Sequence, residues 1–256
     1  MSLIEFRNVH KRFGRQVVLN GVDLGINEGE SLVIIGASGS GKSVMLKHMV
    51  GLLQPDEGEV WFDGKRIDQL PERKLMDVRV QFGFLFQMGA LFDSMNVEDN
   101  VAFPLVEHTS KPKAEVSKIV DQKLGMVGLP EVRKKMPAEL SGGQRKRVAL
   151  ARAIALDPRV ILYDEPTTGL DPIRSDVINE LILKLQRELK VTSVVVTHDM
   201  QSAFKVADRI VMLHEGKLMF DGTPEQIRTS ENPVVKRFVQ GEAGDEELAG
   251  LRGPGA

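Results

Sequence analysis

The chain has 256 residues, of which 42% are hydrophobic, so it can bury a sizeable core within one domain. Its 34 Lys and Arg side chains nearly balance 36 Asp and Glu side chains, and the formal net charge of -2 gives no basic footprint for a nucleic-acid partner. The sequence has no cysteine, which excludes disulfides, a cysteine nucleophile and thiolate metal ligands and leaves carboxylates, lysine, histidine and backbone amides for chemistry.

The first residues, up to Gly14, alternate apolar and charged side chains and lack the continuous apolar core that a signal peptide requires. We therefore expect the mature protein to begin near Met1. The sequence also lacks an uncharged apolar stretch of roughly 18 residues, which is the minimum for a membrane-crossing helix. Any role at a membrane is therefore predicted to be peripheral.

Half-buried strands are predicted near the N-terminus, where apolar and polar residues alternate with a period of two. The alternation runs from Ile4 to Arg7, from Val17 to Ile26 and from Glu59 to Phe62, with glycine-containing turns between these segments. Strands with one buried and one solvated face are typical of antiparallel sheets. The pattern therefore predicts an N-terminal antiparallel β-subdomain.

Three short runs are apolar throughout and predict strands that are buried on both faces. They are Ser31 to Ile35, Val160 to Tyr163 and Val194 to Val196. Each run is followed directly by polar residues, and the carboxyl ends of parallel strands gather where ligands bind. We therefore predict an α/β fold with a core of mainly parallel sheet and a ligand site at the ends of these strands.

The middle of the chain is predicted to be helical. The segment from Met88 to Leu140 has few strand signals, and Val116, Val120 and Leu124 recur at the spacing of one helix face. We interpret this part of the chain as a helical subdomain at about residues 88–158.

The C-terminal part is predicted to contain a β-hairpin, a helix and a tail. The runs Arg209 to His214 and Lys217 to Asp221 are separated by a Glu-Gly pair that suits a tight turn. The sequence Thr-Pro-Glu-Gln, which starts at Thr223, has the features of a helix start, and the helix is predicted to continue to about Val239. The last residues, Gly241 to Ala256, are rich in glycine and acidic side chains and are predicted to be flexible.

A glycine-rich loop joins the first buried run to a helical segment. Its residues match the phosphate-binding loop pattern and are Gly36, Ala37, Ser38, Gly39, Ser40, Gly41, Lys42 and Ser43. The glycines let backbone N–H groups point at phosphate oxygens, and the helix N-terminus adds partial positive charge. Lys42 is expected to bridge the terminal phosphates of ATP and Ser43 to ligate Mg²⁺. A plain strand-to-helix turn is the alternative, but the strand-loop-helix setting favours the phosphate site.

Asp164 and Glu165 form a pair of carboxylates that directly follows the buried run Val160 to Tyr163. Such a pair is costly to bury unless a metal, hydrogen bonds or water satisfies it. With a phosphate loop in the same chain, Asp164 is predicted to hold Mg²⁺ through water, and Glu165 to orient or deprotonate the attacking water. Taken alone, the pair fits a helix-capping or loop role equally well.

A second glycine-containing segment precedes a helical run from Arg145 to Leu156 and consists of Leu140, Ser141, Gly142, Gly143 and Gln144. This segment resembles the signature that distinguishes ABC ATPases from other phosphate-loop enzymes. A serine and two glycine amides at a helix N-terminus are suited to bind a γ-phosphate. The resemblance implies that residues 1–240 form an ABC ATPase domain that includes the β-subdomain and the helical subdomain.

The resemblance also implies roles for four residues that occur in the family's order and spacing. Phe13 stands at the adenine-stacking position, and Gln87 is the coupling glutamine that contacts Mg²⁺. Asp171 lies in the dimer-contact loop, and His198 is the switch histidine. Each of these residues alone has an ordinary structural explanation. In the family, the signature of one chain covers the ATP held by another chain, so the resemblance implies a head-to-tail dimer with two composite ATP sites.

The coupling region is similar to that of the Mla type, the ATPases of MCE-linked phospholipid transport. The similarity covers Phe86 to Phe92, Met95 to Val101 and Glu139 to Pro158, although many members carry Met where this chain has Gln144. It implies a phospholipid cargo and a peripheral ATPase on the cytoplasmic face of the inner membrane. It further implies permease subunits, an MCE-domain protein and a STAS-domain protein as partners.

Three other functions remain open from the sequence. The ATPase of an amino-acid or ion importer would share every catalytic residue, and neighbouring genes would distinguish it. A soluble ABC protein acting on ribosomes or chromosomes is disfavoured, because there is one set of motifs and no sustained heptad pattern between Gly36 and Ser141. A degenerate nucleotide-binding scaffold is disfavoured by the intact Lys42, Glu165 and His198.

Overall fold

Two β-sheets organise residues 2–242, the part of the chain that the computed structural model describes. In chain order, the strands are β1 (Ser2–Phe13), β2 (Gln16–Asn27), β3 (Ser31–Ile35), β4 (Glu57–Phe62), β5 (Lys65–Arg66), β6 (Phe82–Leu85), β7 (Val160–Asp164), β8 (Thr192–Thr197), β9 (Arg209–His214) and β10 (Lys217–Gly222). The smaller sheet is antiparallel and has the order β2-β1-β4-β5. It corresponds to the β-subdomain that the alternating N-terminal pattern predicts.

The larger sheet has the order β10-β9-β3-β8-β7-β6. Strands β9, β3, β8, β7 and β6 are parallel, and β10 pairs with β9 as the antiparallel hairpin that the sequence predicts. Every residue of β3 and β8 is buried, because these strands lie inside the sheet with packed layers on both faces. The predicted α/β fold with a mainly parallel core sheet is confirmed.

The two faces of the larger sheet belong to two hydrophobic cores. Along β3, Leu32 and Ile34 pack in a core shared with the antiparallel sheet, whereas Val33 and Ile35 pack in a core shared with the helices. Successive side chains of a strand point to opposite faces, so one apolar run supplies both cores. The sheet is therefore held rigidly between two layers, and the ends of its strands are fixed in position.

The helices cover the larger sheet and form the middle of the chain. In chain order they are α1 (Lys42–Met49), α2 (Glu72–Arg79), α3 (Val97–His108), α4 (Lys113–Met126), α5 (Gly142–Ala153), α6 (Pro172–Leu189), α7 (Met200–Val206), α8 (Pro224–Arg228) and α9 (Pro233–Gln240). Helices α3, α4 and α5 contact one another within the segment 88–158. Among the helices of residues 2–242, none is both long and apolar enough to cross a membrane.

The prediction of one continuous helix from Thr223 to Val239 is wrong. The chain forms α8 after the predicted start, leaves the helix at Thr229 and starts α9 at Pro233. Proline cannot donate the backbone hydrogen bond that a continuous helix requires, and the residue before it avoids helical geometry. Asn232 is extended and accepts hydrogen bonds from the amides of Val234 and Val235, so it caps the second helix.

Strand β6 was not predicted from the sequence. It has only four residues, two of them phenylalanines that are half-buried, and it forms the edge of the larger sheet beside β7. A run this short gives a weak periodic signal. The position of β6 matters, because the chain leaves its carboxyl end towards Gln87, and the other predicted site residues also follow the carboxyl ends of strands in this sheet.

The predicted tail lies outside the described residues, apart from Gly241 and Glu242. Gly241 ends α9 in the left-handed conformation, and Val235 of that helix is fully buried. We expect deletion of residues 243–256 to shift the melting temperature by less than about 2 °C, since the α9 contacts and their cap precede the cut. Thermal unfolding of the truncated chain measures this, and deletion of 233–256 is the control that should lower the melting temperature by several degrees.

Candidate functional site

The residues predicted to carry chemistry meet at the carboxyl ends of four neighbouring parallel strands. The glycine-rich loop follows β3, His198 follows β8, Glu165 follows β7, and Gln87 follows β6 by two residues. These strands lie next to one another in the larger sheet, so residues far apart in sequence become neighbours. This is the edge at which open α/β sheets bind ligands.

The glycine-rich loop has a backbone that only glycine can adopt at a key position. Gly41 precedes α1 with a φ of 105°, and a Cβ placed on it would lie 2.8 Å from Val18 Cγ1 and 2.9 Å from the Val18 carbonyl oxygen. Any side chain at this position would therefore clash with β2. Because Gly41 packs against β2, the N-terminus of α1, with its free amides, lies at the carboxyl ends of the parallel strands of the larger sheet.

Lys42 lies at the start of α1 and is 6% exposed. Its ammonium group donates to the carbonyl oxygens of Gly36 at 2.8 Å and Ala37 at 2.9 Å. Burial lowers the pKa of Lys42, and the negative charges of Glu165 and Asp164 oppose that shift. The Lys42 side chain therefore places a positive charge within the glycine-rich loop.

Ser43 and Asp164 are joined across the site. The Ser43 hydroxyl donates to Asp164 Oδ1 at 2.8 Å, which links α1 to the end of β7. Burial raises the pKa of Asp164, while the hydrogen bond from Ser43 opposes this shift. A hydroxyl and a carboxylate at this distance provide hard oxygen ligands of the kind that Mg²⁺ prefers.

The Glu165 carboxylate is oriented by two side chains from opposite directions. His198 Nδ1 lies 3.0 Å from Glu165 Oε1, and the Thr168 hydroxyl donates to Glu165 Oε2 at 3.2 Å. The backbone of Glu165 has a φ of 50°, a left-handed conformation that is uncommon for a residue other than glycine. Such conformations persist only where surrounding contacts hold them, and they cluster at functional sites.

A cavity of about 550 Å³ is lined by nine of the predicted site residues, whereas Gly36, Ser40 and Asp164 do not line it. Its lining consists of Phe13, Val18, Ser38, Gly39, Gly41, Lys42, Ser43, Val44, Gln87, Glu165 and His198. Phe13 is 46% exposed at the end of β1 and lines the cavity, and the Lys11 ammonium group lies over its ring, 5.6 Å from the ring centroid. The cavity is therefore bounded by the aromatic side chain of Phe13, by the phosphate loop and by the Glu165 carboxylate.

The hydroxyl of Ser40 is a buried polar group of the glycine-rich loop. It has no hydrogen-bond partner among the described residues, although it lies inside the glycine-rich loop. An unpaired buried polar group is costly, so such groups in native proteins call for a ligand, an ion or water. Ser40 lies beside Gly36 and is not among the residues that line the cavity, so the case for a phosphate ligand rests on Lys42 and the residues that do line it.

The signature segment does not face this cavity in the same chain. Among residues 2–242, the cavity lining includes none of Ser141, Gly142, Gly143, Gln144 and Asp171. Ser141 is exposed and caps α5, while Gln144 Oε1 accepts from the Ser141 amide in return. Asp171 is also exposed and caps α6. A single chain therefore brings the phosphate loop together with Asp164 and Glu165, and its signature segment lies outside that cavity.

Two residues at the site were missed by the sequence analysis. Thr168 contacts the Glu165 carboxylate, and Lys146 donates to backbone carbonyls of the loop after Glu165. The position of Lys146 did carry a signal, because Gly143, Lys146 and Leu150 are spaced to share the buried face of α5. A lysine on an otherwise apolar helix face indicates a buried polar partner.

This arrangement defines a nucleotide-hydrolysing phosphate-loop protein. The family model described as ABC transporter matches residues 19–168. The matched segment contains the phosphate loop, Gln87, the signature and the carboxylate pair. The chain therefore belongs to the ABC transporter family, and it is an ATPase.

Individual relatives cover nearly the whole chain. It is 45% identical over 238 residues to the probable ribonucleotide transport ATP-binding protein mkl of Mycobacterium leprae, a match that covers 93% of this chain and 69% of that protein. It is 44% identical over 242 residues to the intermembrane phospholipid transport system ATP-binding protein MlaF of Haemophilus influenzae, covering 94% and 92% respectively. The predicted resemblance to the Mla type is confirmed.

A solved structure shares the fold. It is a dimeric ATP-binding cassette in a post-hydrolysis state bound to ADP and Pi, and it matches this chain with a TM-score of 0.80 at 37% identity. The match covers 86% of this chain and 98% of that one. The predicted ABC ATPase fold is confirmed.

Proposed function

We propose that this chain drives phospholipid transport between the inner membrane and an MCE-domain protein. It would act as a dimer on the cytoplasmic face of that membrane, beneath permease subunits. The observation that carries the ATPase part is the convergence of Lys42, Ser43, Gln87, Glu165 and His198 on one cavity. The phospholipid part is supported by the relative named MlaF.

The oxygen ligands near Ser43 fit a magnesium ion bound together with ATP. Within residues 2–242, no cluster of three or more His, Cys, Asp or Glu side chains could hold a metal by itself. Mg²⁺ in phosphate-loop proteins instead uses one or two protein oxygens, water and the phosphates. Ser43 and Gln87 would supply direct ligands, and Asp164 would hold a coordinated water. When bound, the ion would neutralise charge on the phosphates.

Lys42 and the loop amides would hold the ATP phosphates. The lysine already points into the loop, where it donates to the carbonyls of Gly36 and Ala37. Exchanging one carbonyl for a phosphate oxygen keeps the ammonium paired while it is buried. The loop residues Ser38, Gly39, Ser40 and Gly41 would donate from their amides, and Phe13 would stack on the adenine.

Glu165 would act on the attacking water, and His198 would fix its position. The carboxylate lies on the cavity and is held at both oxygens by His198 and Thr168. A carboxylate held in one orientation can accept the proton of a water that lies in line with the γ-phosphate. His198 is exposed on the cavity side and would also contact the γ-phosphate as charge develops.

A second copy of the chain would complete the ATP site. Ser141 is exposed at the N-terminus of α5, and the first turn of that helix contains Gly142, which is half-buried, and Gly143, which is buried. A helix N-terminus of this kind binds anions. In a head-to-tail dimer, these groups and Asp171 of one copy would face the ATP held by the other. The dimeric cassette that shares this fold supports the arrangement.

Two relatives bear on the cargo. The relative from Haemophilus influenzae is named for intermembrane phospholipid transport, and the one from Mycobacterium leprae for probable ribonucleotide transport. Neither name favours an amino-acid or ion importer. The similarity of the coupling region, from Phe86 to Phe92, is to the Mla type and supports phospholipid.

A groove next to the ATP cavity fits a permease segment. It has a volume of about 390 Å³ and is lined mostly by apolar and aromatic side chains, including Phe84, Phe86, Phe92 and Phe103. Phe86 lines the groove and the next residue, Gln87, lines the ATP cavity, so a change at one is passed to the other through a single peptide bond. An exposed aromatic groove of this kind binds an amphipathic helix.

The groove predicts a variant that separates docking from catalysis. Phe92→Glu places a charge on the groove, so we expect the chain to lose its membrane partners while ATP hydrolysis by the isolated chain stays within about two-fold. Met219→Glu, at an equally exposed apolar position on β10, is the matched control and should keep its partners. Sedimentation with native membranes measures both. Release of both variants, or of neither, would contradict docking at the groove.

The function as a whole is tested by purifying the chain from native membranes and identifying what accompanies it. We expect permease subunits, an MCE-domain protein, a STAS-domain protein and bound phospholipid. ATP-dependent movement of labelled phospholipid by the reconstituted complex would support the proposed cargo. Recovery with a solute-binding protein, or transport of ribonucleotides without phospholipid, would overturn it.

A further inference from the structure

Lys146 is a buried lysine for which the reaction described above has no use. It lies in the second turn of α5 and is 6% exposed. Its ammonium group donates to the carbonyl oxygens of Pro166 and Thr168, each at 2.7 Å, and reaches that of Glu165 at 3.4 Å. All three acceptors belong to the short loop that begins with the proposed catalytic carboxylate.

Burying this ammonium group is costly for the fold. Burial lowers the pKa of Lys146 to about 8, and the negative charge of Glu165 opposes that shift. Among the described residues its hydrogen-bond partners are all backbone carbonyls, without a carboxylate to neutralise it. An apolar side chain of the same length would avoid the cost of the buried charge. The hydrogen bonds from Lys146 to the loop carbonyls therefore offset the free-energy cost of burying its charge.

The loop is the part of the site whose conformation most needs support. Glu165 has a φ of 50°, and its carboxylate direction depends on Thr168, whose hydroxyl holds Oε2. Lys146 donates hydrogen bonds to the carbonyl oxygen of Thr168 and to that of Pro166, which lies between Glu165 and Thr168 in the sequence. It thereby fixes both ends of the hydrogen bond between Thr168 and Glu165, because movement of either residue would break a contact to the ammonium group.

We infer that Lys146 is a positioning residue that holds the loop from Glu165 to Thr168 and so aims the Glu165 carboxylate at the attacking water. The inference rests on the proposed catalytic role of Glu165. Lys146 acts through Glu165 of its own chain, although it belongs to the helix whose first turn carries the signature.

The first test replaces Lys146 by methionine, which keeps the length and removes the three donors. We expect kcat for ATP hydrolysis to fall roughly ten- to a hundred-fold, since small misplacement of a catalytic group costs rates of this order. The half-saturating ATP concentration should stay within about two-fold, because the phosphate loop is untouched. Lys146→Gln keeps two donors without a buried charge and should lie between the wild type and Lys146→Met.

Lys123→Met is the matched control for losing a buried lysine. Lys123 is 2% exposed on α4 and pairs with Asp157, away from the ATP cavity. We expect this variant to lose thermal stability but to keep its kcat. A folded Lys146→Met or Lys146→Gln chain with wild-type kcat would overturn the inference, as would an equal loss of kcat in Lys123→Met.

The second test asks through which residue Lys146 acts, using two copies of the chain joined by a flexible linker. Ser141→Arg in one copy disables the ATP site of the other copy, so a single active site remains. That site uses Glu165 of the copy with the arginine and the signature of its neighbour. Lys146→Met is then placed in either copy, and ATP hydrolysis is measured.

The two placements have opposite expected results. In the copy that supplies Glu165 to the active site, Lys146→Met should reduce hydrolysis about ten-fold or more. In the copy that supplies only the signature, it should change hydrolysis by less than about two-fold. A larger loss of hydrolysis from the copy that supplies the signature, or an equal loss from both placements, would overturn the inference. Either result would mean that Lys146 acts by supporting α5 and its signature. If the linked wild-type copies hydrolysed no ATP, the proposed function itself would fall.

Discussion

Replacing Glu165 by glutamine is expected to lower the rate of ATP hydrolysis by roughly 10²- to 10⁴-fold, the usual contribution of a general base. The carboxamide has nearly the same shape as the carboxylate and can still bond to His198 or Thr168. It cannot take a proton from water. ATP binding should therefore stay near the wild-type level, because Lys42 and the glycine-rich loop are unchanged.

The same variant should accumulate as an ATP-bound dimer. Binding of ATP would still close two chains on each other, while the hydrolysis that reopens them is nearly absent. Size-exclusion chromatography or light scattering in the presence of ATP and Mg²⁺ measures the dimer directly. Lys42→Ala is the opposite control, since it should weaken ATP binding and leave monomers.

A high residual rate would contradict the assignment of Glu165. If Glu165→Gln kept most of the wild-type turnover in the presence of its permease, the proton acceptor would have to be another group. In that case His198→Ala would be the next measurement, because His198 is the only other predicted catalytic side chain bonded to Glu165 within the described residues.

Most of the proposed catalytic residues can be picked out from the sequence, because their chemistry is tied to local motifs. Gly41 must be glycine where β2 approaches it, and the predicted loop lies at that position. Asp164 and Glu165 end a strand that is apolar throughout, so their location at the sheet edge follows from the pattern itself. These are features in which a few consecutive residues determine both the conformation and the chemistry.

The features that could not be predicted depend on contacts between residues that are far apart in the sequence. Lys146 and Pro166, whose carbonyl it contacts, are 20 residues apart in the sequence. The packing of α5 against the sheet brings them together. Strand β6 was too short to predict, although it positions Gln87. The helix break before Pro233 does carry a sequence signal, because a proline cannot continue the hydrogen-bond pattern of a helix that starts at Thr223.

The structure also gives a local role to Gln144, the fifth residue of the signature segment. Gln144 Oε1 accepts a hydrogen bond from the Ser141 amide at 3.0 Å, and Ser141 Oγ accepts one from the Gln144 amide at 3.3 Å. Methionine could not accept the first of these bonds with comparable strength. Glutamine therefore stabilises the start of α5 and keeps the Ser141 hydroxyl in a defined place.

Ser141→Arg is expected to abolish ATP hydrolysis while ATP still binds to the monomer. Ser141 is exposed and lies away from the cavity of its own chain, so the substitution leaves that cavity unchanged. In the proposed dimer, however, the arginine would place bulk and charge against the γ-phosphate held by the partner and so disable the ATP site that it faces. Equilibrium binding of a fluorescent ATP analogue and steady-state hydrolysis measure the two properties separately.

Thr223→Arg is a matched control, because Ser141 also has a structural role as the cap of α5. Thr223 is an exposed cap of α8 with the same reciprocal pair of hydrogen bonds, in this case to Gln226. Loss of either cap should destabilise the fold by about 1 kcal/mol. Thr223→Arg should therefore share the stability loss of Ser141→Arg but keep its hydrolysis. If Ser141→Arg lost equilibrium ATP binding as completely as turnover, Ser141 would belong to the primary pocket and the composite site between two chains would be wrong.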